Sequence, residues 1–506
     1  MTTTSPSRGE LLPPTRRSRA GGDVPWAPLL GFLALIGVSG AAVLVAGPPV
    51  GVMIVVLAIV LFALSRVDVD QVTVVIGVIA VILLLPARLR IAPLGAAGTM
   101  SSLAGSAAFA LWAWGRVWGQ GWLATGRQPL RTSLLLFTAA VLASDVAMGF
   151  RPHDAVESRA ADRGLIMLMA SAGVALLVAD AVPTKERLRG VIKAIVACGA
   201  CLAGLGVLQF MAGVDVPGLL KLPGFELVDI GSNLDRSGFT RIVSTTSHPI
   251  ELSVVLAMLL PLALHVAFTA EARERRRWWV CAGIIGFAAP LTVSRTAVLA
   301  LVVGFLVIVP GFDARRRKIV LIAGAVGIVV MRVMVPGLVG TLRSLIFAYG
   351  GDPSIATRKS DYDYVAEFVA ERPFFGRGWG TFLPDRYTYL DNQLLGGLIE
   401  VGVVGVVLLI GVYATGIALA AVVRRRSTDP VERDLALCLI APMTISLVTW
   451  MTYDAMAFPT GRTLTFLCIG CAAALWRLQR YPENSPPTTV FSAASRRRGN
   501  TEPAEG

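Results

Sequence analysis

Residues 278–310 read WWVCAGIIGFAAPLTVSRTAVLALVVGFLVIVP and contain a single charged side chain, Arg295. The run is preceded by ERRR (274–277) and followed by ARRRK (314–318). An apolar stretch of this length, interrupted near its middle by Pro290 and Arg295, is too long for one membrane crossing and suits two short ones. Lys and Arg are retained in the cytoplasm during insertion, so the two basic clusters mark one side and the interruption the other.

Working outward, apolar runs follow near 28–46, 49–65, 71–86, 100–115, 132–149, 164–181, 190–212, 249–270, 278–293, 296–310, 319–335, 394–422, 435–453 and 461–477. Over 506 residues the mean hydropathy is +0.69 and only 16% of side chains are charged. Those values exclude a soluble domain, a disordered chain, a coiled coil and collagen. The fold class is all-α, a polytopic integral membrane helical bundle of about 12–14 spans. The net charge of +13 falls in short clusters between apolar runs, which argues for topology and against a nucleic-acid face. The six cysteines all lie in apolar runs and read as small packing residues.

With the N-terminus inside, 28 of the 46 basic residues fall on the cytoplasmic side and 16 outside, which places both termini in the cytoplasm. The expected organisation is a disordered cytoplasmic tail at 1–25, a membrane domain at 26–480 and a second disordered cytoplasmic tail at 481–506. The two longest loops, about 213–248 and 336–393, face outward. Cytoplasmic connections are short basic hooks with no room for a nucleotide-binding domain.

Chemistry must therefore sit outside or within the membrane. The first long loop ends in Asp235, Arg236, Arg241 and His248, just before a helix opened by Pro249. Basic side chains beside free helix N–H groups can hold a phosphate, although His248 could equally be a plain cap. Arg295 either faces a polar cavity or pairs there, or it snorkels at the end of a short hairpin, since interior charge costs roughly 2.5–3.5 kcal/mol. In the second long loop, Val365, Phe368 and Val369 predict an amphipathic helix over 361–372, lying on the membrane surface and stopping before Pro373. Gly376, Gly378 and Gly380 follow in a Gly-rich turn without a Walker lysine. Asp391 and Asn392 stand at the mouth of the next span, with Glu400 two turns deeper as a candidate base or an interhelical hydrogen-bond partner. His153, His248 and His265 are far apart and no cluster has metal-ligand spacing, so no cofactor or metal is expected.

The order of these pieces is RxxSTTSHP (241–249), LTVSRTA (291–297), Arg358 on a short helix, RPFFGRGWGTF (372–382) and DNQLLxxLIEVGxxG (391–405). Over about 200–460 this resembles the bacterial O-antigen ligase and O-antigen polymerase family. The resemblance implies a class C type of glycosyltransferase fold in the bacterial cytoplasmic (inner) membrane. It implies transfer of a glycan from undecaprenyl diphosphate to an acceptor hydroxyl on the outer face, in O-antigen, surface polysaccharide or exopolysaccharide biosynthesis. Implied partners are the lipid-linked donor, a glycan or lipid acceptor, membrane lipids and other envelope polysaccharide assembly proteins.

By motif position, Arg241, Arg295 and Arg358 would meet the diphosphate, with Arg236, His248, Asn392 and Gly378 as further substrate contacts. Asp391 stands where the family often has His and would be the base. The competing reading is a polysaccharide or lipid-linked oligosaccharide flippase. That reading expects polar residues at midplane in broken helices, whereas here they gather in the loops.

Overall fold

The computed structural model describes residues 69–117, 121–213, 215, 218, 222–228, 235–236, 239–335, 337, 340, 353–487 and 490–491. The apolar runs at 28–46 and 49–65, the tail at 1–25 and the loop residues 341–352 lie outside them. The described residues form thirteen α-helices. These are α1 (Gln71–Leu84), α2 (Met100–Val117), α3 (Pro129–Met148), α4 (Ala155–Ala181), α5 (Lys185–Ala212), α6 (Pro249–Thr269) and α7 (Ala272–Ala288). There follow α8 (Arg295–Ile308), α9 (Ala314–Met334), α10 (Pro353–Glu371), α11 (Gln393–Arg426), α12 (Pro430–Thr449) and α13 (Pro459–Arg480). Each apolar run from 71 onward has become a helix, and α10 is the helix expected within the long loop. The chain is a polytopic helical membrane protein, and α3, α4, α5, α6 and α11 are by themselves long and apolar enough to cross a membrane.

Local chemistry explains where the helices begin. Asp70, Asp154, Thr184, Asp313, Asn392 and Asp429 each accept a first-turn backbone N–H. Proline opens α3, α6, α12 and α13, where its missing N–H costs nothing. Gly213, at φ 66°, closes α5 in the left-handed conformation.

The centre of the bundle is α4, α6, α12 and α13, and nearly every residue of α13 is buried. Helices approach closely where side chains vanish: a Cβ on Gly470 would lie 2.5 Å from the Ala175 carbonyl oxygen. Outward-facing Leu135, Leu136, Val146, Leu321 and Val329 are exposed. Such an apolar flank suits lipid.

Polar contacts sort the connections into two ends. At one, 85–99, 149–154, 241–248, 289–294, 372–392 and 450–458 touch one another through bonds such as Ala87 N to Thr245 O and Gln393 N to Trp450 O. Two-residue strands, Leu89–Arg90 with Glu226–Leu227 and Asp235–Arg236 with Phe239–Thr240, tie down parts of the first long loop. The opposite end gathers buried ion pairs, Asp180 with Arg116 and Arg131, and Asp434 with Arg316.

Two expectations change. The run beyond 480, read as a disordered tail, is held as far as Phe491: Ser485 accepts from Arg477, Pro487 O accepts from Gln71, and Val490–Phe491 pairs with Val69–Asp70. Composition alone misses this, because Gln71 and the Val69–Asp70 strand are some four hundred residues away. Helix α10 does not lay its apolar face on lipid. Val365 is buried with Phe368 and Val369 against Leu390, Leu395, Ile399 and Phe382.

Candidate functional site

The site end is built around the segment 241–251. Arg241 is 6% exposed, and its Nε donates 2.9 Å to the carbonyl of Thr292. Thr292 belongs to the 3₁₀ turn between α7 and α8, and Val293 beside it has φ 46°. Arg295 is the first residue of α8 and is half-buried. Two of the arginines of the resemblance, Arg241 and Arg295, thus come to one helix break. In the largely buried polar run STTS after Arg241, the hydroxyls serve carbonyls of neighbouring segments and a side chain serves the amides. Ser244 Oγ donates to Leu202 O, Thr245 Oγ1 to Leu83 O, and the amides of Val243 and Ser244 donate to Gln209 Oε1.

His248 caps α6, its Nδ1 accepting from Ile250 N at 3.2 Å, while its ring packs 5.8 Å from Phe458. Burial and then the Arg241 charge pull its pKa down to about 4, so the ring is neutral near pH 7. One turn on, Glu251 is wholly buried. Its carboxylate accepts from Ser247 N (2.8 Å), Ser247 Oγ (2.6 Å), Thr460 N (2.7 Å) and Gly461 N (3.0 Å). It therefore clamps the start of α6 to the start of α13, a carboxylate at a helix N-terminus.

Behind that clamp, Arg462 is 3% exposed, with Nε on Ser171 Oγ (2.9 Å) and Nη1 on Met456 O, in the field of Glu251 and Asp454. Gln393 accepts from Met456 N at 2.6 Å and so joins the same connection to the start of α11. Asn392 caps α11, accepting from the amides of Leu394 and Leu395. Asp391, just before it, is exposed, and its charge reaches half-buried Asp454. Burial, reinforced by Asp391, raises the Asp454 carboxyl to about 6.

The Gly-rich turn has a different role from the one expected. Helix α11 is broken at Gly402 (φ 64°, ψ −172°), and residues 373–378 take over the freed main-chain groups. Val403 N donates to Pro373 O and Val404 N to Phe374 O, while Arg377 N donates to Ile399 O. Gly378 N donates to Glu400 O (3.0 Å) and Ser144 Oγ (3.1 Å), and Trp379 N to Asp145 Oδ1. The amides of Arg377, Gly378 and Trp379 are therefore committed to protein acceptors, and Gly378 packs in a helix–loop seam. Glu400 follows its structural reading, accepting from Phe382 N at 3.2 Å.

Several arginines at this end are likewise structural. Arg372 donates to the Ala147 and Phe150 carbonyls at the end of α3. Arg151 pairs with Glu157 and Arg386 with Asp154, whose carboxyl is drawn down to about 2 by that partner. Arg377 lies over the rings of Phe368 and Tyr387. Arg236 lies in the Asp235–Arg236 strand and Arg358 in α10, while both side chains fall outside the described residues.

Sequence reasoning passed over Glu251, Gln393, Asp454 and Arg462. Arg462 carried the same signal as Arg295, an arginine one turn inside an apolar run, and Glu251 was a first-turn carboxylate in an apolar helix. Among the described residues His265, Asp434 and Cys438 are near enough together to hold a metal ion. They lie at the opposite end, and Asp434 is already bonded to His265 (2.6 Å) and Arg316 (2.8 Å).

Residues 279–410, roughly a quarter of the chain, match the family model described as O-antigen ligase. No curated protein matches the chain. The matched stretch runs from α7 into α11 and contains Arg295, Arg358, Asp391 and Asn392, while Arg236, Arg241 and His248 precede it. The resemblance read over about 200–460 is thus matched in its middle part. An O-antigen ligase domain in a polytopic helical bundle supports a membrane glycan ligase or polymerase function.

Proposed function

We propose that this chain is a glycosyltransferase of the bacterial cytoplasmic membrane, with both termini cytoplasmic. It moves a glycan from undecaprenyl diphosphate to an acceptor hydroxyl at the outer leaflet. The observation that carries the reading is the meeting of Arg241 with the α7–α8 break that Arg295 closes, at the same end of the bundle as Asp391. Neutral His248, the Glu251 clamp, the 450–462 connection and Asn392 join these two parts by continuous contacts.

In this mechanism Arg241 and Arg295, with Arg358 from α10, neutralise the diphosphate as negative charge develops on the departing oxygen. Guanidinium groups suit this work because they stay charged when desolvated and offer paired donors to phosphate oxygens. Asp391, exposed at the mouth of α11, takes the proton of the acceptor hydroxyl as that oxygen attacks the anomeric carbon. Direct displacement inverts the configuration there. His248, held neutral and committed to its cap, positions the start of α6 and leaves the base role to Asp391.

The test is to delete the gene in its host, complement it with wild type, Arg241→Ala or Asp391→Asn, and size both surface polysaccharide and lipid-linked precursors. The proposal expects precursors to accumulate on the carrier with each variant, in cells that still display the protein. Single repeat units would make it a polymerase and long carrier-linked chains a ligase. An unchanged glycan profile, or precursors trapped on the cytoplasmic leaflet, would overturn it.

A further inference from the structure

We infer that Tyr389 holds a pyranose ring of the acceptor, stacked on its aromatic face beside Asp391, so that the group offered for glycosylation is a sugar. The inference deepens the glycosyltransferase reading and rests on Asp391 as the residue that meets the acceptor hydroxyl.

Exposure is the first observation. Tyr389 is 72% exposed and makes no hydrogen bond or ring contact among the described residues. The other aromatic side chains around it are spent on one another. Tyr364, Phe368, Phe382 and Tyr387 form one cluster, in which the rings of Phe382 and Tyr387 stack 4.9 Å apart. The Tyr387 hydroxyl donates to Glu157 Oε1 at 2.7 Å and accepts from Arg377 Nη2 at 2.9 Å.

The mounting of the ring is the second. Residues 388–392 are neither helix nor turn, and Asn392 at their end is extended, with φ −157° and ψ 109°. Burial alternates along them: Tyr389 is exposed, Leu390 buried and Asp391 exposed. Leu390 is packed with Val365, Leu395 and Ile399 beneath α10. Alternation of this kind sets the side chains of Tyr389 and Asp391 on one face, with their backbone positions roughly 6–7 Å apart. Tyr387 is bonded on one side and Leu390 anchored on the other, so the backbone that carries the ring is fixed before a ligand arrives and little ordering cost remains.

Chemistry names the occupant. A pyranose carries hydroxyls at its rim and C–H groups on its faces, and those C–H groups suit the electron-rich face of an aromatic ring. Arg241 and Arg295 come to the α7–α8 break from other segments, whereas Tyr389 and Asp391 share one short segment. The sugar held by Tyr389 is therefore the one whose rim hydroxyl Asp391 deprotonates, which is the acceptor. An anchor in the lipid interface is the competing role for an exposed tyrosine. The exposed side chains near it in sequence, Asp385, Arg386 and Asp391, are charged and mark water in place of lipid.

The purified full chain in nanodiscs would be assayed with donor and acceptor fractions extracted from the deletion strain, the acceptor fraction titrated at saturating donor. Tyr389→Ala should raise the apparent acceptor KM about five-fold while kcat and the donor KM stay within about two-fold of wild type, the pattern of a lost uniform binding contact. Tyr389→Phe, which keeps the ring face, should recover the wild-type KM, and Tyr389→Leu, which keeps apolar bulk alone, should not. An unchanged acceptor KM in Tyr389→Ala would overturn the inference, and a lowered melting temperature beside it would make Tyr389 an interfacial anchor. Equal KM values for Tyr389→Leu and Tyr389→Phe would overturn the stacking. Asp391→Asn in the same assay reports on the base separately: an undiminished kcat there would overturn the role of Asp391, while the Tyr389 variants decide the sugar contact in either case.

Discussion

Gly402→Ala places a methyl group where the backbone of another segment already lies. The added Cβ would be 2.4 Å from the carbonyl carbon and oxygen of Phe374 and 2.7 Å from Phe375 N. These are main-chain atoms, which cannot rotate away as a side chain would. Alanine is also poorly tolerated at φ 64°, ψ −172°, at a cost of about 1–3 kcal/mol. Relief requires residues 373–378 to leave α11, which forfeits the bonds from Arg377 N, Gly378 N, Val403 N and Val404 N, each worth about 1 kcal/mol net. The local penalty is then about 5 kcal/mol, or a loss of roughly 4,000-fold in the closed seam.

Gly411→Ala is the matched control, because nothing lies within 4 Å of a Cβ there, in the same helix. It should be neutral or stabilise by up to about 1 kcal/mol. Hydrogen exchange of the amides over 373–404, with glycan transfer measured in the same preparations, separates the two. Gly402→Ala should exchange up to about 4,000-fold faster across that seam and lose transfer by about 100-fold, since Asp391 and Asn392 are carried on the start of α11. If Gly402→Ala matched Gly411→Ala in both readings, the broken-helix seam would not be what holds this end together.

Glu251→Gln would turn one carboxylate oxygen into an NH₂ facing N–H or O–H donors of Ser247 or of Thr460 and Gly461, at about 2–4 kcal/mol. A clear fall in melting temperature is expected, and an unchanged one would contradict the clamp. His248→Asn keeps an acceptor at the cap but removes the ring. Because the folded His248 pKa is depressed from 6.5 to about 4, its neutral form stabilises the wild type above pH 6.5, and that contribution is lost as pH falls toward 4. The stability gap between wild type and variant should therefore narrow with acidification, and a gap independent of pH would be evidence against a buried neutral ring. Asp454 is the opposite case: with its pKa raised from 3.8 to about 6, its contribution is complete below 3.8 and lost as pH rises through 6. Asp454→Asn should melt higher than wild type at pH 7.5 and no higher at pH 4, and the reverse order would refute the burial argument.

The helices were legible because membrane insertion writes itself into local composition. Every described apolar run became a helix, and caps such as Asp154, Asn392 and the His248–Pro249 pair stood where their side chains could serve first-turn amides. Arg241, Arg295 and Asp391 were legible as unusual residues at the edges of such runs. The seam made by the Gly-rich turn was not legible for a physical reason: glycines allow a tight, backbone-exposed turn, and the sequence does not say which main chain lies 2.4 Å away. The same holds for Glu251 and Arg462, each of which has a partner two hundred or more residues distant besides a near one.

Taken alone, the sequence determined that this chain lives in a membrane, where its helices start and stop, and which charged residues must be accounted for. Those properties depend on transfer free energies and on hydrogen bonds within a few residues, which any single segment carries with it. Tertiary structure alone decided which arginines are spent on carbonyls and carboxylates, that Arg241 meets the α7–α8 break, that the chain beyond 480 folds back on α1, and that one carboxylate, Asp180, serves two guanidinium groups at the far end. Such facts depend on which helix packs against which, and that choice is made by the summed packing of many apolar side chains, no one of which records it.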